Sequence, residues 1–345
     1  MSAAHTVDVV VVGAGQSGLA LGFYLQRHNR RAGDAEQVSF VLLDDRVEGG
    51  GAWSDGWDTL SLFSPASYSS LAGWQMPSWP HPGTPSAAHV AAYLRAYEER
   101  YDLPVARGHR VTEVAEVAEA GETGADGSLV VRTATGAAWH ARVVVNATGS
   151  WTRPFWGALP GAATFAGVQV HTSDYRAAST LPGRRVLVVG GGNSGAQVAA
   201  DLLLHPADGD SHREVIWATR KPPRMLPDDV DGRVLFEVAT RAVQARTDGH
   251  DVAGVGGLGD VVAVPTVQQA RDEHGLHPVP LPSRLTVTAA VWDNDLDGSS
   301  SEARTREVDT VVWCTGFRPA LGFLDTLGVV GPNGRVEVEG TRSVA

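Results

Sequence analysis

Two segments of this 345-residue chain carry the same local pattern, and together they predict an α/β fold with two parallel-sheet domains. In each segment an apolar run ends in a GxGxxG turn, and an amphipathic stretch follows the turn. The turns occupy residues 13–18 and 190–195. This order of strand, glycine turn and helix is typical of Rossmann-like dinucleotide-binding domains. We therefore predict a three-layer arrangement in which the second domain is inserted in the first.

Each glycine of the motif has a separate physical role. In the first copy we expect Gly13 to make the tight turn, Gly15 to let a pyrophosphate approach, and Gly18 to allow close packing of helix on strand. The helix N-terminus then faces the phosphates with unpaired N–H groups. A chance glycine turn is the alternative, and the second copy makes it less probable. The predicted phosphate-binding residues of the two turns are Gly13, Gly15, Gln16, Ser17 and Gly18, and Gly190, Gly192, Asn193, Ser194 and Gly195.

The residue that ends the second strand of each unit predicts which nucleotide is bound. The strand at residues 39–43 ends in Asp44, a carboxylate suited to ribose hydroxyls and therefore to FAD or NAD(H). The strand at residues 214–218 is followed by Arg220, which can pair with a 2′-phosphate, so that NADPH is preferred there. A solvated basic turn remains the alternative at Arg220.

The remaining elements are predicted from the periodicity of apolar residues and from the Gly and Pro residues that mark turns. Alternating runs around a turn tip at residues 122–127 predict a small antiparallel meander. A solvated hairpin or loop is expected at residues 293–307. Helices are predicted near residues 86–101, 232–245 and 267–274, meander strands at 110–117 and 129–145, and a return strand at 309–314. These elements divide the chain into a first domain at residues 1–155, an inserted domain at 156–308, and a return to the first domain at 309–345 that is truncated at its C-terminus.

An irregular region at residues 49–85 is rich in Gly, Pro, Ser and aromatic residues. A loop of this length in a compact domain is usually functional, and its aromatic content argues against disorder. We predict that its aromatic side chains form a wall of the cofactor pocket, with Gly51 and Trp53 closest to the cofactor. Plain core packing is the alternative.

Two short Thr-Gly segments follow apolar runs, where small residues are needed beneath a bound dinucleotide. They contribute Thr148 and Gly149 in the first unit and Thr315 and Gly316 in the second. Val111, at the start of the meander, completes the predicted cofactor-binding set.

Composition excludes several other functions. The formal net charge of −11 argues against a nucleic-acid partner, because such a partner requires a basic surface. A single cysteine, Cys314, rules out a dithiol redox pair and a thiolate metal site, and no metal site is predicted. No signal peptide or membrane-spanning run is visible, so we expect a cytoplasmic protein without a membrane partner.

The segment from Phe165 to Tyr175 matches the pattern FxGxxxHxxx(W/Y/F), through Phe165, Gly167, His171 and Tyr175. With the two glycine motifs, it resembles the class B flavin-containing monooxygenases. The runs at residues 50–53, 62–65, 226–232 and 312–319 are similar to those of bacterial flavoproteins associated with arsenic-resistance operons.

The resemblance implies a fold of the FAD/NAD(P) type, FAD in the first unit and NADPH in the second. It also implies hydride transfer to the flavin, capture of O2 as a C4a-hydroperoxide, and oxygen insertion into a small soft nucleophile or carbonyl substrate. In that interpretation His171 and Tyr175 position the NADPH domain, and no catalytic base is assigned. Ser64 stands where many relatives have asparagine. An NADPH-dependent flavin reductase or oxidase, and a nucleotide-binding protein without turnover, therefore remain alternatives. The oligomeric state is not predicted.

Overall fold

The computed structural model describes residues 4–117, 128–205, 213–228, 230, 232–247, 260–293, 303–339 and 342–343. The turn tip predicted at residues 122–127 lies outside these ranges. None of the helices in these ranges combines the length and the hydropathy of a membrane span.

The first sheet has six strands in the order β3-β2-β1-β6-β5-β4. Its strands are β1 (Ala4–Val12), β2 (Phe40–Leu43), β3 (Val105–Ala106), β4 (Val111–Glu116), β5 (Leu129–Thr133) and β6 (Ala138–Asn146). The first four strands in spatial order are parallel. β5 pairs antiparallel with β6 and β4 pairs antiparallel with β5, and these strands form the predicted meander. Val10, Val11 and Val12 of β1 are buried because they lie in the interior of this sheet.

The described residues of this unit form the helices α1 (Gln16–Asn29) and α2 (Ala87–Arg100). The Ser86 hydroxyl accepts a hydrogen bond from the backbone N–H of His89 and caps α2, which confirms the helix predicted at residues 86–101. The irregular region between β2 and α2 contains only short 3-10 turns, at Gly51–Asp55 and Ala66–Tyr68, among the described elements.

The second sheet has five parallel strands in the order β10-β9-β8-β14-β7. The elements of this unit are β7 (Val168–His171), β8 (Arg185–Val189), α3 (Asn193–Leu204), β9 (Glu214–Thr219), α4 (Gly232–Thr247), α5 (Pro265–His274), β10 (Pro278–Pro280) and β14 (Thr310–Trp313). A three-stranded antiparallel sheet is formed by β11 (Arg284–Leu285), β12 (Ala289–Trp292) and β13 (Arg304–Glu307), and a hairpin by β15 (Val338–Glu339) and β16 (Arg342–Ser343). Residues 304–307, expected in a solvated hairpin or loop, therefore form a strand of this sheet. The predicted α/β class, with two parallel-sheet units, is confirmed.

The strand predicted to open the return to the first unit belongs instead to the second sheet. β14 pairs in parallel with both β8 and β7. The return follows this strand, because the 3-10 helix Gly322–Leu327 packs on the meander and the Thr326 hydroxyl donates to the Val114 carbonyl. The sequence-based boundary at residue 309 was wrong in this respect, since an apolar strand ending in Thr-Gly has the same pattern in either sheet.

Candidate active site

The first glycine turn has the steric properties that the motif requires. Gly13 has a φ of +103°, and a β-carbon there would lie 2.6 Å from the Ala147 carbonyl oxygen. A β-carbon at Gly18 would lie 1.9 Å from the Gly13 carbonyl oxygen, so only glycine lets α1 pack against the turn. At Gly15 a β-carbon would meet no described atom within 4 Å. The turn is therefore closed on its protein side and open at Gly15.

Gly15 opens into a cavity of about 770 Å³, a size typical of small-molecule and cofactor sites. Ten of the eleven cofactor-binding residues predicted in the first unit line it: Gly13, Gly15, Gln16, Ser17, Asp44, Gly51, Trp53, Val111, Thr148 and Gly149. Gly18 is the exception, because it lies beneath the turn. The cavity also has lining residues that the sequence reasoning missed, including Arg46, His109, Arg110, Trp151 and Arg153. Arg46, Trp151 and Arg153 follow predicted strands, and His109 and Arg110 lie at the start of the predicted meander, which was the available signal.

The N-terminus of α1 faces this cavity through Gln16 and Ser17. No described side chain caps it, and its first turn carries no acidic residue. Its free N–H groups and the helix dipole therefore favour an anion at this point.

Asp44 is 6% exposed, and its carboxylate contacts three other residues. Its carboxylate accepts hydrogen bonds from the backbone N–H groups of Ala14 at 2.6 Å and Arg46 at 2.9 Å, and it pairs with Arg107 at 3.2 Å. Asp44 thus holds the glycine turn in place, a contact that the sequence did not predict, while it also lines the cavity.

Only part of the aromatic region forms a wall of this cavity. Trp53 lines it, and its indole N–H donates to the Gln16 side chain at 3.1 Å. By contrast, Trp57 and Phe63 pack against the core of the second unit, and Trp74 packs against that of the first. Trp53 therefore lies on the cavity wall, whereas these three side chains take the alternative of core packing. Aromatic content alone does not indicate which core a side chain joins.

The second glycine turn repeats the steric pattern of the first. A β-carbon at Gly190 would lie 2.2 Å from the Cys314 carbonyl oxygen, and one at Gly195 would lie 2.1 Å from the Gly190 carbonyl oxygen. At Gly192 a β-carbon would meet no described atom within 4 Å. The indole N–H of Trp217 donates to the Gly190 carbonyl at 2.7 Å and fixes the turn.

The side chains around this second turn have distinct partners. The Asn193 side-chain oxygen accepts a hydrogen bond from the Val262 N–H at 2.7 Å, so it braces the turn. Ser194 follows in the first turn of α3, which, like that of α1, has no described side-chain cap and no acidic residue. The second helix N-terminus is therefore also suited to an anion.

Three cations follow β9, and they differ in their pairing. Arg224 forms an ion pair with Asp260 at 3.2 Å, and the Asp260 carboxylate also accepts its backbone N–H. Arg220 and Lys221 are exposed, and neither forms an ion pair with any residue in the described ranges. A phosphate at this strand end would therefore meet Arg220 and Lys221 rather than Arg224.

The signature at residues 165–175 occupies the junction of the units. His171 is fully buried; its Nδ1 accepts the Ser173 N–H and its Nε2 lies 3.1 Å from the Gly316 carbonyl oxygen. Burial lowers the pKa of His171, so the ring is held neutral. Phe165 is a core residue, and the Tyr175 hydroxyl donates to the buried carboxylate of Asp201.

Two crossing segments run between the two units. Residues 149–156 follow β6, beside the first turn, and residues 315–320 follow β14, beside the second. The N–H of Phe155 donates to the Gly316 carbonyl at 2.9 Å, and the N–H of Ala320 donates to the Gly149 carbonyl at 3.3 Å. Thr148 and Gly149 therefore lie at the first turn, and Thr315 and Gly316 near the second, with the two pairs linked through the backbone.

Comparison with known proteins agrees with this architecture. Residues 10–224 match the family model for pyridine nucleotide-disulphide oxidoreductases. A flavin-containing monooxygenase from Stenotrophomonas maltophilia is 40% identical with a TM-score of 0.79, and the match covers 99% of this chain and 88% of that one.

Two further relatives match a smaller part of their own length. An uncharacterized CzcO-like oxidoreductase from Geobacillus kaustophilus is 33% identical over 67% of this chain and 60% of that protein. The indole-3-pyruvate monooxygenase YUCCA1 from Oryza sativa is 32% identical over 67% of this chain and 52% of that protein. The present chain thus spans less than two thirds of either relative.

The family model covers more than half of the chain, and the bacterial monooxygenase covers nearly all of it. The chain therefore belongs to the pyridine nucleotide-disulphide oxidoreductase family and, within it, to the flavin-containing monooxygenases, as an NAD(P)H-dependent flavoprotein oxidoreductase with FAD and NADPH as its cofactors.

Proposed function

We propose that this protein is a monooxygenase that takes two electrons from NADPH and transfers one oxygen atom of O2 to a small substrate. The second oxygen atom leaves as water, and NADPH and a proton are consumed for each oxygen transferred. The observation that carries this proposal is the backbone hydrogen bond from Phe155 to Gly316, which joins the segments beside the two open glycine turns. Hydride transfer from NADPH to a flavin requires the two cofactors to be in contact, so their sites must lie side by side.

The residues of the first cavity fit FAD. A pyrophosphate would lie against Gly13, Gly15 and the N-terminus of α1, where the open side of Gly15 leaves room for it. The ribose hydroxyls of the adenosine would meet Asp44. When bound there, FAD supplies the redox chemistry, accepting a hydride and reacting with O2.

The residues of the second turn fit NADPH. Its pyrophosphate would lie at Gly190, Gly192 and the N-terminus of α3. Its 2′-phosphate would be bound by Arg220, assisted by Lys221. Arginine suits this role because its planar guanidinium can donate two parallel hydrogen bonds to one phosphate.

The contribution of the protein is binding, orientation and exclusion of water. Trp53 and Trp151 place apolar rings on the cavity wall. His171, held neutral by burial, donates to Gly316 and fixes the segment that links the two turns. We assign no side chain as a general acid or base.

The substrate class follows from the chemistry that such an enzyme performs. Two substrate classes are candidates. The first is soft nucleophiles with a sulfur, nitrogen or trivalent arsenic centre, and the second is carbonyl compounds. The sequence resemblance to flavoproteins of arsenic-resistance operons makes arsenicals one class to include.

A second candidate, an NADPH oxidase that releases hydrogen peroxide, is favoured by one observation. Ser64 stands at the position of the asparagine found in many relatives, and its hydroxyl is engaged with that of Ser69 at 2.9 Å. The outcome of the reaction with O2 separates the two candidates.

The test is to load the purified protein with FAD and supply NADPH, isotopically labelled O2, and a panel of thioether, amine, ketone and arsenite substrates. We expect one labelled oxygen atom in a product, formed in proportion to the NADPH consumed. NADPH consumption matched by hydrogen peroxide across the whole panel would instead establish the oxidase. Failure of the protein to take up FAD would overturn both and leave a nucleotide-binding protein without turnover.

A further inference from the structure

Asp201 is a buried carboxylate on α3 that contacts three separate segments of the chain. It is 3% exposed. Its Oδ2 accepts the hydroxyl of Tyr175 at 2.5 Å. Its Oδ1 accepts the hydroxyl of Thr59 at 3.0 Å and lies 2.9 Å from Nδ1 of His205. These partners come from the junction segment, from the irregular loop of the first unit, and from the residues just after α3.

A buried carboxylate is costly unless donors compensate for the water it has lost. Here the two carboxylate oxygens accept hydrogen bonds from a tyrosine and a threonine hydroxyl, and one of them also contacts a histidine ring nitrogen. Burial beside Asp201 raises the pKa of Tyr175, so its hydroxyl stays protonated and remains a donor. The arrangement is a satisfied polar network at the centre of an otherwise apolar contact.

The Thr59 contact crosses from one unit to the other. The loop that carries Thr59 is anchored in the first unit, where the N–H of Ala87 donates to the Leu60 carbonyl at 2.8 Å. Beside it, Trp57 packs on Tyr175, and the N–H of Asp58 donates to the Arg176 carbonyl at 2.8 Å. We call residues 57–59 the docking wedge.

The docking wedge acts on the same helix that begins at the second glycine turn. α3 starts at Asn193, directly after Gly192, and Asp201 lies two turns further along it. Because a helix of this length is rigid, holding Asp201 in place also holds the helix N-terminus in place.

We propose that Asp201 is a positioning residue, which fixes the second glycine turn relative to the first unit through Tyr175 and the docking wedge. This inference rests on the proposed assignment of FAD and NADPH to the two turns. Its function is to hold the nicotinamide at the distance and angle that hydride transfer to the flavin requires. Displacements of about 1 Å between reacting groups can change a rate by on the order of 100-fold.

The test compares two substitutions that break the link from either side, Asp201→Asn and Tyr175→Phe, with Tyr97→Phe as the matched control. Tyr97 is also fully buried, and its hydroxyl donates to the Ala72 carbonyl at 2.6 Å within the first unit alone. Thr59→Val is a milder third variant, because it removes only the cross-unit hydroxyl and nearly preserves the side-chain shape.

The first readout is anaerobic reduction of bound FAD at saturating NADPH. We expect the rate of flavin reduction to fall on the order of 10-fold in the two link variants. NADPH affinity and FAD content should stay near those of the wild type, and Tyr97→Phe should reduce its flavin at the wild-type rate. Wild-type rates in both link variants, or an equal loss in Tyr97→Phe, would overturn the inference.

The second readout needs no cofactor. Hydrogen exchange of the apoprotein should become faster at the Asp58 N–H in both link variants and in Thr59→Val, with no change in the central strands β1 and β8. Exchange that is unchanged at Asp58 would contradict the docking role. If NADPH fails to reduce the wild-type flavin, the proposed function fails, and the exchange result still decides whether Asp201 docks the units.

Discussion

The backbone N–H of Phe155 donates a hydrogen bond of 2.9 Å to the carbonyl of Gly316. Phe155 lies on the segment that follows β6, beside the first glycine turn, and Gly316 on the segment that follows β14, beside the second. The same Gly316 carbonyl is in contact with His171. This junction links the segments beside the two glycine turns through one carbonyl group.

Substitutions at two glycines of the first turn should have different effects, one on stability and the other on FAD binding. Gly18→Ala should lower the melting temperature, because its β-carbon would lie 1.9 Å from the Gly13 carbonyl oxygen. Gly15→Ala should change the melting temperature of the apoprotein little, because its β-carbon meets open space, yet it should weaken FAD binding. Thermal unfolding with and without FAD, with FAD titration, measures both effects. Equal destabilisation of the apoprotein by the two substitutions would contradict the assignment.

Arg220 should determine the preference for NADPH. Arg220→Ala should raise the KM for NADPH far more than the KM for NADH. The lost charge-assisted contact corresponds to roughly 1.5–3 kcal/mol of NADPH binding free energy. Arg224→Ala is the control. Because Arg224 is paired with Asp260, its substitution should change the ratio of the KM values for NADPH and NADH less. Steady-state kinetics with both nucleotides checks this prediction. An equal effect of Arg220→Ala on the two cofactors would remove the basis for naming NADPH.

His171 should make stability depend on pH. Its folded pKa is lowered from 6.5 by burial, so the unfolded chain takes up a proton before the folded one does. The associated stability is fully present above pH 6.5 and declines as the pH falls from there through the folded pKa. His171→Gln should be less stable at neutral pH and should lose less stability between pH 7.5 and 5.5 than the wild type. Parallel pH profiles for the two proteins would contradict this role.

Asp309 should attach β14 to β8 in acid as well as at neutral pH. Its carboxylate accepts the backbone N–H groups of Arg184 and Arg185, both at 2.9 Å, and pairs with the Arg185 guanidinium. These contacts lower the pKa of Asp309 from 3.8 to about 2. Its contribution is therefore present above pH 3.8 and is lost as the pH falls through about 2. Asp309→Asn should unfold at a lower temperature at pH 7, and an unchanged melting temperature would contradict this attachment.

The sequence predicted the elements whose signal is local. Both glycine turns, their helices and the helix near residues 86–101 depend on residues that are close together in the chain. Sequence reasoning failed where the partner is remote. Nothing near Asp44 indicates that its carboxylate holds the Ala14 N–H, and the sheet that β14 joins depends on which neighbours it finds.

The loop at residues 49–85 shows the same limit in another way. Its aromatic side chains were recognised as ordered, yet Trp57 and Phe63 pack into the second unit while Trp53 lines the cavity of the first. Hydrophobicity predicts that such a side chain is buried, and it carries no information about which of two cores receives it. The role of Asp201 was hidden for a related reason, since a lone aspartate in a helix has the pattern of a solvated residue.

The most direct test of the account is to mix the FAD-loaded protein with NADPH in the absence of oxygen and follow the visible absorbance of the flavin. We expect complete bleaching with one equivalent of NADPH. Slower bleaching is expected in Asp201→Asn, and Arg220→Ala should require higher NADPH concentrations. FAD that binds tightly but keeps its absorbance in the presence of NADPH would contradict the central claim that the two glycine turns bring a flavin and a nicotinamide together.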